Sequence, residues 1–198
     1  MKKNKKIVIA ISIIVLILII GAISIILITK ERKSKEKVDY IKEIYTTDDV
    51  QDILENNENS ENNKIDKLMQ QIDGEYVVGV IRIDRIDFEG IVYEGTTLDV
   101  LAKGVGHFSN SSFLDGNVCL AAHNTNQYWA KLHTLKKGDT IKYTSFLGTK
   151  EYKVTSMEQI SETDWSKLSD TNENMLTLIT CVKGKKSLRL CVQAVEVN

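Results

Sequence analysis

The chain has 198 residues, with 26 Lys and Arg against 27 Asp and Glu. That length holds one ordinary domain plus accessory segments. A charge balance this even gives no argument for a nucleic-acid partner.

Residues 1–6 form a short basic tail. Ile7 to Thr29 carry no charged side chain and are dominated by Ile, Leu and Val. At about 1.5 Å per residue, a helix of that length reaches roughly 35 Å, enough to cross the hydrocarbon core. A cleaved signal peptide is the rival. Its apolar core is usually shorter, about 7–15 residues, and ends at a small-x-small site. No good cleavage site follows this run, which favours an uncleaved transmembrane helix over 7–29. Lys2, Lys3, Lys5 and Lys6 precede it, and Lys30, Arg32, Lys33, Lys35 and Lys37 follow it. Basic residues on both sides leave orientation undecided by charge.

Residues 30–74 are a polar stalk. Asp48 to Leu54 fits a short helix with an acidic N-terminus suited to the helix dipole. Glu55 to Lys64 is rich in Asn, Glu and Ser, the composition of a flexible segment. Ile65, Leu68, Met69 and Ile72 have helical spacing. The stalk reads as a spacer with a docking helix in preference to an appendage covering an active site.

From Glu75 the texture changes. Val77 to Ile83 and Phe88 to Tyr93 read as strands, and Thr97 to Lys103 as one or two helical turns. Asn117 to His123 is a buried strand, and Asn126 to Leu132 a short helix carrying Tyr128 and Trp129. Thr140 to Thr144 and Lys150 to Ile160 alternate as strands around Leu147-Gly148. Thr163 to Ser166 is a turn or short helix. Met175 to Cys181 and Ser187 to Val197 form the last pair. Seven or eight short strands with few helices predict an all-β barrel or sandwich over 75–198. There is no internal repeat, and the chain contains no proline.

Three cysteines are present: Cys119, Cys181 and Cys191. None forms a CxxC, and no metal-type spacing occurs. Cys119 and Cys191 sit inside apolar strands, as small buried thiols do. A disulfide between them stays open, since strands distant in sequence can be neighbours.

The chemistry concentrates in two runs. Thr177-Leu178-Ile179-Thr180-Cys181 delivers a thiol to the end of a β-prone segment, and Arg189 follows among apolar residues. Asn117 to His123 delivers an imidazole to the end of another apolar strand. A thiol, an imidazole and a guanidinium are the parts of a cysteine acyl-transfer site. Cys181 is the candidate nucleophile, because a thiolate near positive charge is the reactive species. His123 is the candidate general acid and base. Arg189 is the candidate stabiliser of a tetrahedral oxyanion, and Thr180 would help position it. His107, in a Gly-rich turn, and His133, on a surface helix, rank behind His123. Asn124 and Asn126 are too local to His123 to be assigned its orientation.

These residues resemble a sortase, a member of the membrane-anchored cysteine transpeptidases of Gram-positive bacteria. The Thr-Leu-x-Thr-Cys strand is intact as Thr177 to Cys181, with Arg189 on the following strand. Gly116-Asn117 leads to His123, and Gly104 to Phe108 and Leu135 to Asp139 also match. The similarity covers about residues 76 to 198.

The resemblance implies a closed eight-stranded β-barrel with short helices. It also implies a cytoplasmic N-terminus, a single-pass anchor in the cell membrane and an extracellular catalytic domain. The expected reaction is cleavage of a Leu-Pro-x-Thr-Gly type sorting signal through a thioacyl-enzyme. The partners would be secreted proteins with a C-terminal sorting signal, and a peptidoglycan precursor or another amine acceptor. No nucleic acid, cofactor or metal is expected. Asp84, Asp87 and Glu89 are clustered acids, better read as a solvated loop than as a calcium site. The absence of proline and an end at Asn198 weigh against pilus assembly, and the N-terminal anchor and compact barrel are more similar to a class D or otherwise unassigned sortase. A peptidase that only hydrolyses and a non-catalytic membrane-tethered scaffold are the rival functions. L,D-transpeptidases are set aside, because their Cys and Arg lie much closer together in a Ser-His-Gly-Cys type motif absent here.

Overall fold

A computed structural model describes residues 2–46 and 68–197, with side chains from residue 13 onward. Helix α1 spans Lys2–Tyr45. It therefore runs on past the apolar segment into the stretch expected to be a polar stalk. Its apolar residues from Ile13 to Ile28 are exposed, and none of its most apolar window is buried. The chain divides into two compact units, residues 1–37 and 38–198.

In the second unit the last turns of α1 contribute Val38, Ile41 and Tyr45 to the core. The Tyr45 hydroxyl donates to the Val77 carbonyl at 2.7 Å. The helix expected over 48–54 and the segment 55–64 lie outside the described residues, as does the start of the expected helix over 65–72. The described end of that helix is instead strand β1, Gln70–Ile72. The reason is a turn signal. Asp73 and Gly74 both have positive φ, 55° and 80°, and Ile72 pairs directly with Glu75. An Asp-Gly two-residue turn of that kind closes a β-hairpin and overrides the helical spacing.

Strand β2 (Glu75–Ile83) follows, then β3 (Phe88–Glu94), helix α2 (Leu98–Lys103) and β4 (Val105–His107). Thr97 caps α2 by accepting from the Val100 N–H at 3.3 Å. Next come β5 (Asn117–Ala121), β6 (Thr140–Ser145), β7 (Gly148–Ser161), β8 (Met175–Val182) and β9 (Lys185–Glu196). The sheet order is β1-β2-β3-β4-β5-β8-β9-β7-β6, and β6 pairs back onto β2. Strands β2 to β9 thus form a closed eight-stranded barrel, with β1 as an extra hairpin strand. Tyr143, Tyr152, Phe146, Leu120, Leu178 and Ile81 are fully buried inside it. At the closing seam a Cβ on Gly79 would lie 2.1 Å from the Thr144 carbonyl oxygen, so only glycine fits there.

Two pairings are parallel, β3 with β4 and β5 with β8. The first needs a crossover, which α2 supplies. The second positions the site. Parallel neighbours deliver their C-terminal ends to the same edge, so the residues after Ala121 and those ending β8 meet there.

Two local expectations are corrected. Asn126 to Leu132 is a run of turns, with a short 3-10 segment only at Leu132–Thr134. Its backbone bonds run back to the loop start: Trp129 N–H donates to His123 O and Ala130 N–H to Thr125 O. Trp129 is fully buried and meets Phe88 edge to face. Core packing of that ring outweighs helix propensity. His107 lies in strand β4 and not in a turn.

Candidate active site

His123 lies two residues past the end of β5, and Cys181 is the penultimate residue of β8. Cys181 faces Arg189 in the β8–β9 register. Residues directly opposite in an antiparallel pair put their side chains on one face, with Cβ atoms about 4.5–5.5 Å apart. Arg189 also faces Ile160 on β7. The ends of β5, β7 and β8 and the start of β9 therefore share one edge of the barrel. A cleft of ≈ 300 Å³ opens there, and His123, Cys181 and Arg189 all line it. Cys181 is exposed, His123 and Arg189 half-buried.

Two hydrogen bonds bracket His123. Thr180 Oγ1 donates to the Ala122 carbonyl at 2.7 Å, and Thr180 is buried. Asn124 Nδ2 donates to the Cys181 carbonyl at 2.5 Å. The residues on either side of the imidazole are thus tied to the end of β8, which carries Cys181. The His123 carbonyl also accepts from the N–H groups of Thr125 and Trp129.

The cleft walls are apolar: Leu101, Phe108, Ile160, Trp165 and Leu168. Trp165 is 62 % exposed and stands edge to face against Phe108, centroids 6.3 Å apart. It sits in the β7–β8 loop, which a buried amide fastens to the barrel. Asn117 Nδ2 donates to the carbonyls of Lys167 and Ser169, while its Oδ1 accepts from Thr177 Oγ1 at 2.8 Å. The adjoining Gly116 has φ of 85°, and a Cβ there would meet Ser112 Oγ at 2.6 Å. The Asp164 carboxyl is held below its ordinary value by hydrogen bonds from the Ser166 hydroxyl and backbone N–H.

The other sequence candidates go elsewhere. His107 is fully buried. Its Nδ1 is 2.7 Å from Glu94 Oε2, and its Nε2 is 3.1 Å from the Ser112 carbonyl. It stacks on Phe113, with ring centroids 4.7 Å apart. His133 is exposed, with Nδ1 on the Ala130 carbonyl. Cys119 and Cys191 are buried and free, so no disulfide joins them. Burial pushes the Cys119 thiol up to about 12 and the Cys191 thiol up to about 11. Asp84 pairs with Arg82, and Glu89 with Lys42 and Arg82. Among the described residues no three His, Cys, Asp or Glu side chains gather as a metal site.

A family model described as a sortase domain matches residues 81–197. The chain belongs to the sortase family. Sortase A of Listeria monocytogenes is 32% identical over 130 residues, covering 64% of this chain and 59% of that protein. Sortase D of Bacillus subtilis is 30% identical over 106 residues, 52% of this chain and 53% of that one. The chain thus spans less than two thirds of the length of these curated relatives. Identity to the sortase A and sortase D relatives is nearly equal and does not separate the classes. Among solved structures, a Clostridium perfringens sortase D5 transpeptidase is 26% identical with a TM-score of 0.64, over 83% of this chain and 98% of that one. The Listeria monocytogenes sortase A structure is 30% identical with a TM-score of 0.58, over 62% and 88%.

The sequence alone did not single out Asn117, which ties β5, β8 and the cleft loop together, or Glu162, which lines the cleft. Asn117 carried a signal only as part of the Gly-Asn pair that opens β5. Glu162 carried none.

Proposed function

We propose that this sortase is a cysteine transpeptidase acting on a C-terminal sorting signal of the Leu-Pro-x-Thr-Gly type. The observation that carries it is the meeting of three groups at one barrel edge. Parallel β5 and β8 bring His123 and Cys181 to the same cleft, and antiparallel pairing sets Arg189 opposite Cys181.

The Cys181 thiolate attacks the scissile carbonyl carbon, forming a C–S bond and an oxyanion. Arg189 donates hydrogen bonds to that oxygen or to the adjoining substrate backbone. The C–N bond breaks, and the His123 imidazolium gives its proton to the departing amine. A thioacyl-enzyme remains. An incoming amine attacks it, passes a proton to His123, and Cys181 leaves as thiolate. The apolar walls around Trp165 would take the signal's apolar side chains. The acceptor would be an amine of a cell-wall precursor.

Residues 7–29 would anchor the chain in the membrane, and the catalytic unit outside the cell would include the last turns of α1 and strand β1 as well as 75–198. Uniform exposure of the apolar face of α1 supports the anchor. The outward orientation rests on family membership.

The test uses the full-length chain in detergent micelles with a panel of Leu-Pro-x-Thr-Gly peptides. Products are read by mass spectrometry with and without triglycine. Amine-dependent ligation, lost in Cys181→Ala, supports a transpeptidase. Cleavage indifferent to the amine makes the chain a peptidase. Folded protein with no product from any peptide favours a scaffold.

A further inference from the structure

Arg189 is held from one side before any substrate arrives. Its Nη1 donates to the carbonyls of Lys186 at 2.7 Å and Leu188 at 3.0 Å. Its Nη2 donates to Glu162 Oε2 at 3.0 Å. A guanidinium has five N–H donors. These three bonds leave two, and Nε has no partner among the described residues.

Glu162 is itself anchored. Its backbone N–H donates to the Ser187 carbonyl at 2.9 Å, just beyond the Ser161–Leu188 pair that ends the β7–β9 ladder. Its side chain lines the same cleft as Cys181 and His123. One carboxylate, placed by the barrel's own ladder, thus fixes the far end of the one guanidinium that faces Cys181.

We propose that Glu162 is a positioning residue for acylation. It holds the Arg189 guanidinium at the cleft so that the two remaining N–H donors meet the substrate oxygen. The proposal rests on the transpeptidase function above. An arginine side chain gives up much rotamer freedom when fixed. Fixing it in the resting protein removes that cost from the reaction step. The pair is also too exposed to matter much for folding, with side chains 27% and 44% accessible; such pairs add little stability. Its consequence therefore belongs in rate.

The experiment compares parent, Glu162→Ala, Glu162→Gln, Arg189→Ala and the Glu162→Ala/Arg189→Ala double variant. Each is full-length in detergent, assayed with the most reactive peptide of the panel and triglycine. Glu162→Ala should lower kcat about tenfold with KM within about twofold. Glu162→Gln keeps an acceptor oxygen and should retain most of the rate. The double variant should match Arg189→Ala alone, because Glu162 acts through Arg189. Thermal midpoints should stay at the parent value. Parental or raised kcat in Glu162→Ala overturns the proposal, as do losses that multiply in the double variant or a lowered midpoint that accounts for the loss. Parental activity in Arg189→Ala would instead remove Arg189 from the mechanism. No ligation by the parent would remove the transpeptidase function itself.

Discussion

Thr180 and Ala122 are joined by a 2.7 Å hydrogen bond, from the Thr180 hydroxyl to the Ala122 carbonyl. Each lies one residue before a proposed reacting group, Cys181 and His123. The bond therefore sets the spacing of thiol and imidazole through the backbone, independently of either side chain. Thr180→Val keeps the shape and removes the donor. The Ala122 carbonyl is left without that partner in a buried place, at a cost of about 1–3 kcal/mol. Thermal unfolding should show that loss, and ligation kcat should fall with it. A variant with parental stability and kcat would show that the bond positions nothing.

Asn117 joins β5, β8 and the cleft loop through one buried amide. Asn117→Ala frees the Lys167 and Ser169 carbonyls and removes the acceptor of the Thr177 hydroxyl. We expect a destabilisation of about 1–2 kcal/mol, chiefly because the buried Thr177 hydroxyl loses its acceptor. Loosening of the loop that carries Trp165 should also raise KM for the peptide. Unfolding by denaturant and steady-state kinetics check the two effects separately.

The three thiols differ in access. Cys181 is exposed and Cys119 and Cys191 are buried, with thiols pushed up to about 12 and about 11. At neutral pH the buried pair holds almost no thiolate, the form that alkylates. Iodoacetamide should therefore label Cys181 alone in the native protein and all three cysteines in denaturant. Peptide mapping after brief labelling reads this. Rapid native labelling of Cys119 would contradict the buried placement.

Stability should also depend on pH at the far end of the barrel. Glu196 is held below the ordinary carboxylate range by hydrogen bonds from Lys150 and then from Asn174. A depressed folded pKa stabilises above the unfolded value, about 4.3 for Glu. That stabilisation is lost as pH falls through the lower folded value. Glu196→Gln should therefore be less stable than the parent at neutral pH, and the gap should close in acid. Thermal midpoints across pH test this. A gap that stays constant with pH would show that charge at this position does not matter.

The parts of the site were legible where chemistry and local pattern coincide. The strands ending near His123 and Cys181 are apolar runs that stop at a reactive residue, so both were readable from neighbours in sequence. Their parallel pairing was not, because it depends on contacts 58 residues apart, as between Thr180 and Ala122. Strand β4 is three residues long, too short to show a period of two, so by sequence His107 reads as part of a Gly-rich turn. The β1–β2 hairpin was announced by Asp73-Gly74, yet the helical spacing of Ile65 to Ile72 competed with it. Glu162 looks like any loop acid in sequence. Only the ladder that brings Ser161 opposite Leu188 places it beside Arg189.

The central claim is that Cys181 carries the acyl group. We would mix the full-length chain with a reactive sorting-signal peptide, quench in acid, and measure the mass of the protein and of its Cys181 peptide. The account predicts an adduct equal to the N-terminal peptide fragment, located on Cys181 and discharged by triglycine into ligated product. Ligation that persists in Cys181→Ala, or an adduct on another residue, would contradict it.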